Sequence, residues 1–113
     1  MSGFGRIAST AIAENSLVVF TGPGSYTLDD GVCRVIVKKT ISSPTTVYMN
    51  LDPVQGCEYV ITDGKGDALI HQITVNGNGR LINGIATKTI LTNRGSVTLF
   101  YDGSEFYVIG ERP

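Results

Sequence analysis

Short runs of β-branched and aromatic residues, each closed by a cluster of Gly, Asn, Asp or Pro, recur along the chain from Ser16 onward. No other feature restricts the fold as much. Valine, isoleucine and threonine supply 34 of the 113 residues, and their branched Cβ atoms suit a pleated strand and crowd a helix. The pattern predicts strands at 16–20, 25–28, 32–38, 45–51, 57–62, 70–75, 85–91, 96–101 and 105–109. Their starts lie roughly ten residues apart, the interval of a sandwich or closed barrel. The expected fold is all-β, a single antiparallel β-sandwich or jelly-roll domain of about eight or nine short strands over 16–113. An N-terminal arm over 1–15 precedes it. Within that arm 9–15 is the one helical stretch, too short to carry a core face.

The turn residues carry their own geometry. Gly22-Pro23-Gly24, Asp29-Asp30-Gly31, Asp63-Gly64-Lys65-Gly66-Asp67, Asn76-Gly77-Asn78-Gly79 and Asn93-Arg94-Gly95 supply positive φ or side chains that bond back to the backbone. Asp102-Gly103 reads as the clearest hairpin, with a type I′ turn between antiparallel strands. Alternation assigns the inward faces: Val35 and Val37; Val47, Met49 and Leu51; Val97, Leu99 and Tyr101. Three segments are apolar on both faces: 17–20, 99–101 and 106–109. A sandwich of this size has one interior, so a second copy of the chain is expected to cover the other side.

Formal net charge is −1, with no run of like charges, which argues against nucleic-acid and anionic-membrane partners. No apolar stretch approaches the ~18 residues of a membrane span. The opening Met1-Ser2-Gly3-Phe4-Gly5-Arg6 lacks the apolar core of a secretory signal, so the expectation is a chain that starts near Met1 and folds in a cytosol.

Enzyme chemistry is not expected. His71 is the sole histidine, which leaves no multi-histidine zinc site, and a strand imidazole needs no special role. Cys33 and Cys57 lack the spacing of a zinc ribbon or redox pair and read as free core thiols. Asp63 and Asp67 are two carboxylates four apart, as in a calcium loop, but lack the third acidic ligand and closing glutamate. Lys38-Lys39 reads as a solvated strand end. Asp102 and Glu105 read as turn residues rather than a paired acid and base. No cofactor or metal is expected.

One ordered set of segments carries more information than its parts. Val47-Tyr48-Met49-Asn50-Leu51-Asp52-Pro53, Gly56-Cys57-Glu58-Tyr59-Val60-Ile61-Thr62-Asp63-Gly64-Lys65-Gly66-Asp67-Ala68 and Ile73-Thr74-Val75-Asn76-Gly77-Asn78-Gly79 follow one another. Ile82-Asn83-Gly84 and then Asn93 through Gly110 complete the series. This succession resembles the β-sandwich domain of tailed-bacteriophage virion proteins: tail fibres and spikes, head fibres, and capsid decoration or cement proteins. The resemblance implies a scaffolding or binding domain without an active site, self-associated as a homotrimer rather than a homodimer. The chain shows no heptad or repeat stalk, unlike a fibre. If its 113 residues are a whole gene product, a capsid cement protein is the expected function, with the major capsid protein as partner. Such a protein would be made in the cytoplasm of the bacterial host and end on the virion surface. The alternative is a receptor-binding fibre or spike module whose tyrosines stack on host glycans. The expected interface residues are Phe4, Ile7 and Ile12 on the arm and Leu17, Val19, Phe100 and Tyr107 on the strands.

Overall fold

All nine apolar runs become strands in the computed structural model, which describes residues 16–112. They are β1 (Ser16–Phe20), β2 (Gly24–Thr27), β3 (Val32–Val37), β4 (Thr45–Tyr48), β5 (Glu58–Asp63), β6 (Ile73–Asn76), β7 (Thr87–Ile90), β8 (Ser96–Tyr101) and β9 (Phe106–Arg112). The arm over 1–15, with Phe4, Ile7, Ile12 and the 9–15 stretch, lies outside the described residues.

Two sheets form, one in the order β1-β3-β5-β8-β9 and the other β2-β4-β6-β7. For its first six strands the chain alternates between them. Each strand therefore lies parallel to the strand two before it: β1 with β3, β3 with β5, β2 with β4 and β4 with β6. The result is a flattened coil of three turns. Only after β6 does the chain double back, with β7, β8 and β9 each antiparallel to a neighbour.

The fold is the expected all-β arrangement of two packed sheets, but with parallel pairs in both, which corrects the expected purely antiparallel pairing. Side-chain alternation specifies which face of a strand is buried, not which strand lies beside it. A Gly- or Asp-rich corner serves equally for a hairpin within one sheet and for a step across to the other. Here the corners 21–23, 38–44 and 64–72 step across, and the strand of the opposite sheet serves as the crossover that parallel neighbours require.

The connections collect at two rims. The first rim holds 21–23, 38–44, 64–72 and 91–95; the second holds 28–31, 49–57, 77–86 and 102–105. Between the sheets, inward residues align in register. Val18, Val35, Ile61 and Val97 form one row in the first sheet, and Tyr26, Val47 and Val75 form another in the second. Val35, Ile61, Val97, Val47 and Val75 are all buried, each worth about 1.5–3 kcal/mol of transfer free energy. Phe106 packs edge-on to Tyr59 at 6.0 Å and tilted against Tyr101 at 4.9 Å. At the β1 and β2 side of the core Phe20 stacks on Tyr26 at 5.3 Å. At the opposite side Lys88, in register with Val75, reaches Glu111, in register with Val97, at 2.7 Å.

Two local expectations are also corrected. Leu51 is not inward: β4 ends at Tyr48, and Leu51 is 72% exposed where the chain turns at Asp52-Pro53. The β8–β9 hairpin is present, but its turn is not type I′. Asp102 N–H bonds Glu105 O at 3.1 Å, leaving Gly103-Ser104 as the central pair, and only Gly103 has positive φ. That is the type II′ requirement. Both central residues are positive instead at Asn78-Gly79 and Asn83-Gly84, the type I′ pattern.

Candidate functional site

The outer face of the five-stranded sheet is where four of the expected interface residues meet. On β1, Leu17 lies beside Arg34 and Val19 beside Ile36. On β8 and β9, Phe100 and Tyr107 are a cross-strand pair. Their neighbours Val35, Leu99, Tyr101 and Phe106 point into the core, so alternation turns these four outward. Leu17 is 53%, Val19 48% and Tyr107 39% exposed, and Phe100 is half-buried. The two pairs occupy opposite parts of the face, separated by β3 and β5. Half-buried Ile36 and Val60 lie between them, with Thr62 and Thr98.

Tyr107 titrates above the ordinary tyrosine value because desolvation, and then the carboxylates of Asp102 and Glu105, disfavour its phenolate. Asp102 is held below the usual carboxylate range by the N–H groups of Glu105 and Ser104, each 2.8 Å from Oδ1. The Asp102 carboxylate thus caps the N–H groups of its own turn.

Two charged groups are buried at the first rim. Asp63, the last residue of β5, accepts Lys65 N–H and Gly66 N–H at Oδ1 and Ala68 N–H and Arg94 N–H at Oδ2, at 2.9–3.1 Å. Burial alone would raise its pKa, but the four donors outweigh that and hold it below the ordinary aspartate value. Lys39 is buried as well. Its ammonium donates to Ser43 O at 2.5 Å and His71 O at 3.1 Å and stands 3.6 Å from Asp67 Oδ1. Together the two groups tie the corners 38–44, 64–72 and 91–95 into one rim.

This corrects the reading of Lys38-Lys39: Lys38 is exposed and Lys39 is buried. The signal was available, since Lys39 has the same parity as Val35 and Val37, and Asp63 the same parity as Tyr59 and Ile61. Asp63 and Asp67 have the spacing of a cation pair and a different use. One carboxylate is filled by backbone donors and the other faces an ammonium, and among the described residues no group of three His, Cys, Asp or Glu side chains could hold a metal ion. Cys33 is buried and Cys57 half-buried. Cys57 lines an apolar hollow with Gly31, Val32, Val54 and Tyr59 that encloses about 10 Å³, room for one water and far below the ~300 Å³ of a small-molecule site. Of the five tyrosines, Tyr59 and Tyr101 are buried and Tyr26 and Tyr48 half-buried, which leaves Tyr107 with the exposed ring.

The sequence matches no protein-family model and no curated protein.

Proposed function

We propose that this chain is a virion structural protein of a tailed bacteriophage that binds the capsid exterior and cements the shell by bridging adjacent capsid subunits. The observation that carries the reading is the outer face of the five-stranded sheet, where Leu17, Val19 and Tyr107 remain exposed in a single copy. Apolar side chains on an ordered strand face favour burial against a partner, and two separated groups suit contacts with two partners. A protein that touches two shell subunits adds its own binding free energy to their separation, so the seam resists the pressure of packaged genome. The partners in this reading are the major capsid protein and further copies of the chain, as a trimer. The arm with Phe4, Ile7 and Ile12 would order on docking. The reading involves no catalysis and no cofactor, and its site of action is the capsid surface after synthesis in the host cytoplasm.

Receptor binding is the second reading, favoured by one feature, the exposed ring of Tyr107, which suits stacking on a sugar. Incubating the protein separately with decoration-free capsids and with host cells distinguishes the two. Co-sedimentation with capsids, lost in Leu17→Asp/Val19→Asp while the circular dichroism spectrum is kept, supports cementing. Attachment to cells alone, abolished by Tyr107→Ala, replaces it with receptor recognition. A truncation beginning at Ser16 that binds capsids with undiminished affinity removes the arm from the mechanism.

A further inference from the structure

Charges that look evenly mixed along the sequence are sorted by the fold. Among the described residues, Lys38, Lys65, Arg94 and Arg112 stand exposed or half-exposed at the first rim. The carboxylates there, Asp63, Asp67 and Glu111, are committed to backbone N–H groups, to Lys39 and to Lys88. Asp29, Asp30, Asp52, Glu58, Asp102 and Glu105 stand at the second rim. The cation among them, Arg80, is turned to Leu51 O and to the hydroxyl and ring of Tyr101. One rim is basic and the other acidic, in a chain whose formal net charge is −1.

The same rims hold large apolar side chains that the core leaves out. Ile41, Leu69, Ile70 and Leu91 are exposed at the first, Ile70 to 79%, and Leu51, Val54, Leu81 and Ile85 at the second. Connections that run over a surface are ordinarily polar. An apolar patch framed by one charge sign, with a second patch framed by the opposite sign at the other end of the strands, supplies both halves of a heterologous contact.

We propose that the first rim of one copy docks on the second rim of the next, so that copies join head to tail. The inference deepens the self-association in the reading above and is independent of what the assembly attaches to. A second copy is the occupant because the chain itself carries both complementary surfaces. Apolar burial supplies the affinity, and the opposed charges set orientation and disfavour like rims meeting.

Two variants test it. Leu69→Glu/Ile70→Glu blocks the first rim and Leu51→Gln/Ile85→Gln the second, all at exposed positions, with circular dichroism and thermal midpoint as folding controls. Sedimentation velocity at tens of micromolar protein is expected to show species heavier than the monomer for the wild type and a monomer for each variant alone. An equimolar mixture of the two variants should double the monomer mass and go no further, since each copy then keeps one usable rim. A monomeric wild type, a variant that still self-associates alone, or a mixture that stays monomeric overturns the proposal. The mass readout needs no capsid, so its failure is separable from failure of the attachment assay.

Discussion

Asp63 Oδ2 accepts the backbone N–H of Arg94 at 3.0 Å, joining the end of β5 to the turn before β8 across 31 positions of sequence. The other donors to the same carboxylate come from within five residues of it. One side chain thus sets the conformation of its own corner and pins a distant one against it. Arg94 completes the clasp by donating from Nη1 to Gly64 O at 2.6 Å.

Asp63→Asn should be strongly destabilising. The amide keeps one acceptor and turns an NH₂ group toward two N–H donors, leaving buried groups unsatisfied at about 1–3 kcal/mol each. A total loss of roughly 3 kcal/mol or more is expected. Urea denaturation at neutral pH should show the midpoint falling with an unchanged m-value; a midpoint equal to wild type would mean that the four hydrogen bonds contribute nothing net.

Acid should act through the same group. The folded-state pKa of Asp63 is depressed, so its stabilisation is present in full above the unfolded value, about 3.9 for an aspartate. It is lost as pH falls through the lower folded value. Midpoints measured from neutral pH downward should decline below about pH 4 in the wild type and decline less in Asp63→Asn. Parallel profiles for the two proteins would assign acid sensitivity to other carboxylates.

Lys39→Met removes a buried ammonium while nearly keeping its volume. Asp67 would then keep a carboxylate without its counter-ion, and Ser43 O and His71 O would lose their donor. About 3–5 kcal/mol of destabilisation is expected. The double variant Lys39→Met/Asp67→Leu should recover most of it, because an apolar pair of similar size often replaces a buried ion pair at no net loss. A double variant as unstable as the single would show that the lysine acts through its backbone acceptors alone.

The Lys88–Glu111 pair should matter far less. Both side chains are about a third exposed, where solvent screening limits an ion pair to about 1 kcal/mol or less. A double-mutant cycle at low ionic strength should give a coupling within that limit, shrinking in roughly 1 M salt as the Debye length falls to about 3 Å. A salt-independent coupling would contradict the screened geometry.

Strand positions and buried faces were legible because they depend on residues close together in sequence. Val35 and Val37 lie between Arg34 and Lys38, Val97 lies between Ser96 and Thr98, and all three valines are buried in the structure. Strand neighbours were not legible. The corner Asp29-Asp30-Gly31 and the hairpin at Asp102-Gly103 share an Asp-Gly step, yet one crosses the sandwich and the other folds back within a sheet. The choice depends on how whole strands pack, which no local signal encodes. Of the proposed interface residues, Leu17, Val19 and Tyr107 sit in runs apolar on both faces, so a single interior leaves half of each run outside. The rim charges could not, because Asp29, Lys38, Asp52 and Lys65 follow one another along the chain and separate only when alternate corners are carried to opposite ends.

The three-turn coil also constrains how this architecture can change in length. Because each of the first six strands hands the chain to the opposite sheet, deleting a single strand would reverse the direction of everything downstream and exchange the two ends. Evolution or a designer could add or subtract such segments only in pairs, one storey at a time, leaving the closing β7–β9 staircase where it stands.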